Sequence, residues 1–210
     1  MNSSHLLPPL SLVGLLFLIL MYLWAPTSAG NGSLILFLFV LICILGMLAA
    51  SYPRYCLFNN TKPGSSTSHH PDCEHFQSHT FTIRNKKYCS GCSGLFLGAL
   101  VGIIICLFYY LYGFSSPLLF WIGVITVGTA LFQLNYLKVD RAGVKFLSNL
   151  VLVVGSASIL LGILEFKVNL GPYFMVLVVL WVYTRTSISV TDHDRICDEC
   201  PDTSCCYNQT

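Results

Sequence analysis

Residues 88–102 read YCSGCSGLFLGALVG, so that a Cys-x-x-Cys pair leads straight into an apolar segment with a glycine at every fourth position. The pair is Cys89 and Cys92, and the glycines are Gly94, Gly98 and Gly102. Glycines at this spacing share one face of a helix, and in lipid they let two helix backbones approach closely. The stretch therefore predicts a membrane helix that packs through its glycines and carries two thiols where it begins.

The composition of the whole chain agrees with this interpretation. Of the 210 residues, 55% are hydrophobic and only 10% are charged, whereas soluble domains carry about 25% charged residues. A helix needs roughly 20 apolar residues to cross a bilayer core. The predicted fold class is an all-α integral membrane protein with about six transmembrane helices. They are predicted at residues 6–24, 33–50, 94–114, 117–137, 147–166 and 171–187.

These spans predict four parts of the chain: two N-terminal transmembrane helices at 1–50, a Cys/His loop at 51–92, a four-helix transmembrane bundle at 93–187, and a Cys-rich acidic tail at 188–210. The first span has a second interpretation, a signal peptide cleaved after Ala29. Its leading residues MNSSH contain no Lys or Arg, and its apolar run exceeds the usual 7–15 residues of such peptides. We therefore expect a retained helix.

The positive charges lie almost entirely on one side of this topology. Lys and Arg in short loops mark the cytoplasmic side of a membrane protein. Only Lys167 lies on one side. The other ten are Arg54, Lys62, Arg84, Lys86, Lys87, Lys138, Arg141, Lys145, Arg185 and Arg195. We therefore predict a multi-pass protein of the cell membrane with both termini in the cytoplasm.

The same charge count bears on partners. The lipid bilayer is the expected partner, and the sequence identifies no protein partner. A net charge of +2 is too small to indicate nucleic-acid binding. Charged residues are nearly absent from the six spans, which argues against a proton-coupled pump. The few polar residues at depth are Gln133, Asn135 and Asn149, which are expected to hydrogen-bond across the bundle.

Eight of the ten cysteines fall on the predicted cytoplasmic side, because only Cys43 and Cys106 lie within helices. That compartment keeps thiols reduced, so clustered cysteines indicate metal ligands or redox groups before structural disulfides. The loop contains Cys73-x-His75, then thirteen residues, then Cys89-x-x-Cys92. Three cysteines and one histidine are a common tetrahedral ligand set for structural zinc.

The loop therefore predicts a zinc site formed by Cys73, His75, Cys89 and Cys92, with His79 as the alternative histidine ligand. Residues 79–89, HTFTIRNKKYC, alternate apolar Phe81 and Ile83 with polar neighbours, which predicts a short β-hairpin turning at Asn85-Lys86. Thiolate-rich sites also hold iron–sulfur clusters or copper(I), so the sequence leaves the metal open.

A redox pair is the enzymatic alternative. Cys92 lies near the start of the predicted third helix, where the helix dipole stabilises a thiolate. In this interpretation Cys89 and Cys92 belong to a membrane thiol–disulfide oxidoreductase.

The tail holds a second cysteine cluster, which predicts a second metal site at Cys197, Cys200, Cys205 and Cys206. A metal transporter or chaperone that collects ions there is a further hypothesis. A disordered acidic tail and adventitious thiols are the two other interpretations.

Residues 73–102, CEHFQSHTFTIRNKKYCSGCSGLFLGALVG, resemble the signature of an uncharacterised family of small prokaryotic multi-pass membrane proteins, catalogued as a domain of unknown function. In that family a Cys-His stretch and a Phe-containing segment precede Cys-x-x-Cys-x-Gly at the start of a transmembrane helix. The matching positions are Cys73, His75, Phe81, Cys89, Cys92, Gly94 and Gly98, followed more weakly by Gln133, Ser148, Asn149 and Gly155.

The likeness covers residues 73–162, under half of the chain, and it departs from the family pattern at two places. Glu74 separates Cys73 from His75, which are adjacent in the family, and Thr129-Ala130 stands where many members carry an acid. The resemblance implies the membrane architecture and the Cys/His cluster, and it implies no reaction.

Overall fold

A computed structural model describes residues 6–28, 30–51, 79–84, 86–113, 116–136 and 141–199, except for the side chains at positions 134, 135, 193, 194 and 197–199. The described chain is mostly helical, as predicted. Its α-helices are α1 Leu7–Trp24, α2 Ser33–Ser51, α3 Ser90–Tyr112, α4 Pro117–Tyr136, α5 Ala142–Phe166 and α6 Gly171–Glu199. A two-stranded antiparallel hairpin, β1 Thr80–Ile83 and β2 Lys86–Cys89, leads into α3.

Five of the described helical segments are long and apolar enough to cross a membrane. They are α1, α2, α3, α5 and Val168–Asp192, which combines a 3₁₀ turn at Val168–Leu170 with most of α6. α4 contains a shorter apolar segment, Pro117–Gln133. By length and composition these helices indicate a membrane protein.

Helix α5 is the centre of the bundle, because its buried side chains continue from Ser148 to Leu164. The glycine face of α3 packs directly on it. A Cβ atom added at Gly94 would lie 2.2 Å from the Phe146 carbonyl oxygen, and one at Gly98 would lie 2.9 Å from the Leu150 carbonyl oxygen. The close helix approach predicted from the glycine spacing is therefore present at these two positions.

Helix α1 packs antiparallel to α6 through hydrogen bonds between buried groups. The hydroxyls of Ser11 and Thr184 lie 2.8 Å apart, and both side chains are almost fully buried. The Tyr173 hydroxyl donates to the Gly14 carbonyl oxygen at 3.0 Å. These contacts make α1 an integral part of the described fold.

Several boundaries differ from the sequence-based expectation. α3 begins at Ser90 and α5 at Ala142, four and five residues before the predicted spans. α6 continues to Glu199, twelve residues past the expected end at 187, and Asp192 in this polar extension forms an ion pair with Lys145 of α5. The hairpin turns one residue earlier than predicted. Lys86 belongs to β2 and pairs with Ile83, and Arg84 adopts a positive φ of 49°, as two-residue hairpin connections favour.

The helices give the bundle two ends. We call the end that carries β1, β2 and the first turns of α3 and α5 the cysteine end. We call the other end, where α1 and α5 finish and α6 begins, the closed end. Ser28 bridges the closed end with main-chain hydrogen bonds to Phe166 and Val168 of 3.1 and 3.3 Å.

Candidate thiol site at the cysteine end

The two thiols of the Cys-x-x-Cys pair meet where the hairpin becomes a helix. Cys89 is the last residue of β2 and the N-cap of α3, and Cys92 is the third helical residue. Side chains three positions apart are neighbours at the start of a helix, so the two thiols can approach each other. Accordingly the Cys92 thiol donates a hydrogen bond to the Cys89 sulfur. Cys89 is only 8% exposed, whereas Cys92 is partly exposed.

The surroundings of Cys89 stabilise its thiolate. The hydrogen bond from the Cys92 side chain is the largest influence and lowers the pKa of Cys89, whereas burial raises it. The backbone N–H groups of Cys92 and Gly91 and the positive charge of Arg185 also lower it. The result is a pKa of about 7 for Cys89, below the ordinary value for a thiol.

Arg185 reaches this turn from α6 and is held there by α5. Its Nε donates to the Asn149 side-chain oxygen at 2.6 Å, and the Asn149 amide nitrogen donates to the Lys145 carbonyl oxygen at 2.6 Å. A Cβ atom added at Gly91 would lie 2.7 Å from Nη2 of Arg185. The glycine inside Cys-Ser-Gly-Cys therefore provides the space that the guanidinium occupies.

A partly buried ion-pair network lies beside the two cysteines. Ser90, between the two cysteines, donates its hydroxyl to the His79 carbonyl oxygen at 3.0 Å. His79 is 7% exposed, and its Nε2 lies 2.8 Å from the Lys145 Nζ and 3.3 Å from Oδ2 of Asp192. The Lys145 Nζ lies 3.2 Å from Oδ2 of Asp192, and Nη2 of Arg195 lies 2.7 Å from Oδ1 of Asp192. This network joins the hairpin to α5 and α6.

The predicted ligands are described only in part. Cys89 and Cys92 are together, and His79 presents Nε2 to Lys145 and Asp192. The others lie outside the described residues or have undescribed side chains: Cys73, His75, Cys197, Cys200, Cys205 and Cys206. Among the side chains that the structure describes, no three of His, Cys, Asp or Glu are grouped so that they could hold a metal ion. The four-ligand site stays a prediction.

The sequence did not indicate the charged side chains that lie near Cys89 and Cys92. Arg185 and Asp192 are seven residues apart, which places them on one face of α6, but the β-branched and polar residues around them gave no clear helical period. Two other expectations are confirmed. Gln133 accepts a hydrogen bond from Ser148 at 2.8 Å, and Asn149 binds Arg185, so both polar residues connect neighbouring helices.

Comparison of the chain with protein-family models, with curated proteins and with solved structures finds no match. The resemblance of residues 73–162 to a family of prokaryotic membrane proteins therefore stays a prediction, and the argument for function depends on the thiol site itself.

Proposed function

We propose that this chain is a six-span membrane protein that binds a metal ion, preferably zinc, through Cys89, Cys92, Cys73 and His75. One observation carries the proposal: two hydrogen-bonded thiols lie at a strand-to-helix junction, and one of them is already biased toward the thiolate. A metal-binding cysteine must lose its proton, so a lowered pKa reduces the cost of binding. The donor set of thiols and imidazole is the one that zinc prefers.

The ion's role in this proposal is structural. A two-stranded hairpin is marginally stable alone in water, and the hairpin here has strands of only four residues each. A metal that joins Cys89 and Cys92 to Cys73 and His75 would fix the preceding loop against the start of α3. Binding free energy of this kind becomes folding free energy, because the unfolded loop contains no preformed site.

The membrane topology belongs to the same proposal. α4 lies antiparallel to α5 along its length, since a Cβ at Gly162 would lie 2.6 Å from the Phe120 side chain and Gln133 binds Ser148 near the other end. If α5 crosses the bilayer, α4 crosses the same thickness and becomes the sixth span. The excess of Lys and Arg then assigns the cysteine end and both termini to the cytoplasm.

A thiol–disulfide oxidoreductase is the second candidate, and the lowered pKa of Cys89 favours it too. An attacking thiolate must also be accessible to its substrate. Here the thiol with the lowered pKa is Cys89, which is 8% exposed. Burial of the activated sulfur suits a structural ligand better than a nucleophile, and this ranks metal binding first.

The test is the metal content of the detergent-purified, reduced protein, measured by mass spectrometry. We expect about one zinc per chain in the wild type and none in Cys89→Ser/Cys92→Ser. The matched control is Cys43→Ser/Cys106→Ser, which removes two cysteines buried in α2 and α3 and should keep the zinc. Replacing all four tail cysteines with serine should also keep it.

Freshly prepared, reduced wild-type protein without metal would contradict the proposal. A redox titration of Cys89 and Cys92 would then decide whether the oxidoreductase candidate replaces it. Zinc that is lost only with the tail cysteines would move the site to the tail.

A further inference from the structure

The outer half of the hairpin combines an exposed apolar side chain with exposed cations. Ile83 is 53% exposed, although it is a large β-branched residue in a strand. Arg84, Lys86 and Lys87 beside it are all exposed, and residues 79–89 contain no acidic residue. The tip therefore combines an apolar side chain with positive charge, which is the combination that complements an apolar surface bearing anionic groups.

The register of the hairpin gives the direction in which Ile83 faces. Directly opposite residues share one face of a two-stranded sheet, and successive pairs alternate between faces. The pairs Phe81–Tyr88 and Ile83–Lys86 therefore lie on one face, and the pair Thr82–Lys87 lies on the other. The first face is turned toward the bundle, because the Phe81 ring packs edge-on against Phe146 in α5 at 6.1 Å.

The bundle covers only the inner part of this face. Phe81 and Tyr88 are partly buried, whereas Ile83 and Lys86, one pair farther along, are exposed. Phe146 lies in the second turn of α5, at the end of a helix that is apolar enough to cross a membrane. The same face that rests on this helix end therefore continues beyond its contact with Phe146, where it exposes Ile83 and Lys86.

We propose that the hairpin tip, formed by Ile83, Arg84 and Lys86, binds anionic lipid headgroups beside the cysteine end. Ile83 enters the boundary between headgroups and acyl chains, and Arg84 and Lys86 contact phosphate groups. Cationic side chains near an anionic leaflet each contribute favourably to binding, and their long stems reach from apolar surface to headgroup. The inference rests on the proposed membrane insertion of α3 and α5, and it is independent of the metal site.

The experiment uses full-length protein reconstituted into phosphatidylcholine vesicles that contain zero to about 40 mol% phosphatidylglycerol. The anionic lipid gives the vesicle a negative surface potential, as natural cytoplasmic leaflets have (about −30 mV). The photoreactive residue p-benzoylphenylalanine replaces Ile83 in one variant and Thr82 in the other. Both positions are exposed, but they lie on opposite faces of β1. After illumination, mass spectrometry quantifies lipid adducts, and metal content is measured on the same samples.

We expect phosphatidylglycerol adducts from position 83 at several times the yield from position 82. When Arg84→Ser or Lys86→Ser is added to the position-83 variant, the yield of phosphatidylglycerol adducts should fall by about fivefold for each cation removed. The control Lys87→Ser removes an exposed cation from the opposite face of the hairpin, where Lys87 pairs with Thr82, and should lower the yield less than Lys86→Ser.

Equal yields from the two positions, or no lipid adduct in protein that elutes as a single species, would overturn the proposal. An adduct between position 83 and a second protein chain would also overturn it, because the occupant would then be another protein. If the predicted adducts form in protein that contains no metal, the lipid contact is supported and the zinc proposal is refuted.

Discussion

The two ends of the helical bundle are held together by different chemistry. At the closed end, main-chain hydrogen bonds of Ser28 and a single cation, Lys167, connect the end of α1 to the end of α5. Lys167 donates to the Ala25 carbonyl oxygen, and its Nζ lies 5.5 Å from the centre of the Tyr22 ring. At the cysteine end, side chains of the hairpin and of α3, α5 and α6 meet in a network of thiols, an imidazole, cations and a carboxylate.

The difference between the two ends indicates which groups folding requires and which it does not. The closed end joins its helices with backbone groups, with Lys167 and with a hydrogen bond of 3.5 Å from the Tyr109 hydroxyl to Glu165. The cysteine end instead places the buried His79 next to the partly buried Asp192 and brings Arg185 close to the turn that carries the two thiols. Burying charged groups carries a desolvation cost that apolar packing avoids. We therefore infer that the cysteine end carries the function and that the closed end serves mainly as a structural junction.

The largest effect is expected from glycines at helix contacts near the two ends. Gly94→Ala places a Cβ 2.2 Å from the Phe146 carbonyl oxygen, and Gly162→Ala places one 2.6 Å from the Phe120 side chain. Each should lower the free energy of unfolding by about 1–3 kcal/mol or more through overpacking. Only Gly94→Ala should also weaken zinc binding, since it displaces the helix turn that holds Cys92.

Stability in detergent and metal content are the two measurements for this pair. Gly46→Ala is the control, because a Cβ there meets nothing within 4 Å. Loss of zinc from both end variants would remove the distinction between the ends.

Asp192→Asn should have the next largest effect. It removes the negative charge that pairs with Lys145 and Arg195. The three side chains are between 19 and 41% exposed. We expect a loss of about 1–3 kcal/mol, less than for a fully buried pair, in a denaturant titration. Asp192→Asn/Lys145→Met should lose less than the sum of the single changes, because the orphaned cation is then gone. Strict additivity would contradict the ion pair.

Lys167→Met tests the closed end with a smaller change. It removes the hydrogen bond to the Ala25 carbonyl and the cation above Tyr22, so we expect a loss of about 1 kcal/mol in the same titration. Zinc content should remain that of the wild type. A loss of zinc in this variant would show that the closed end influences the thiol site.

The smallest effect concerns the protonation of Cys89. In metal-free protein its alkylation rate should be highest above about pH 7 and fall as the pH drops through 7, because the lowered pKa of about 7 keeps the thiolate down to that pH. Arg185→Gln should move the midpoint upward by less than about one pH unit, since Arg185 is a minor cause of the shift. Arg185→Lys should restore it. Mass spectrometry resolves Cys89 from Cys92, and an unchanged midpoint would exclude the charge effect.

The sequence predicted local elements well and contacts between distant elements poorly. Apolar length identified the helices, alternation at Phe81 and Ile83 identified the hairpin, and the spacing of Gly94 and Gly98 identified a helix contact. These signals are local, because period and residue size act within one element. The network of His79, Lys145 and Asp192 joins three elements far apart in the chain, so no local pattern could predict it.

The extension of α6 was missed for a related reason. Its polar residues look like the start of a tail, but Asp192 among them forms an ion pair with Lys145 of α5, which no local pattern indicates. The thiol pair was recognisable from spacing alone, but its protonation was not. The pKa of Cys89 depends on its burial and on Arg185, which approaches from almost a hundred residues away.

X-ray absorption at the zinc edge of the purified wild-type protein is the decisive measurement, because it identifies the ligands of the ion itself. We expect three sulfur ligands at about 2.3 Å and one nitrogen at about 2.0–2.1 Å. Cys89→Ser/Cys92→Ser, loaded with zinc under the same conditions, should lose this pattern. A first shell of only oxygen and nitrogen in the wild type, or protein that retains no zinc when kept reduced, would contradict the proposed site.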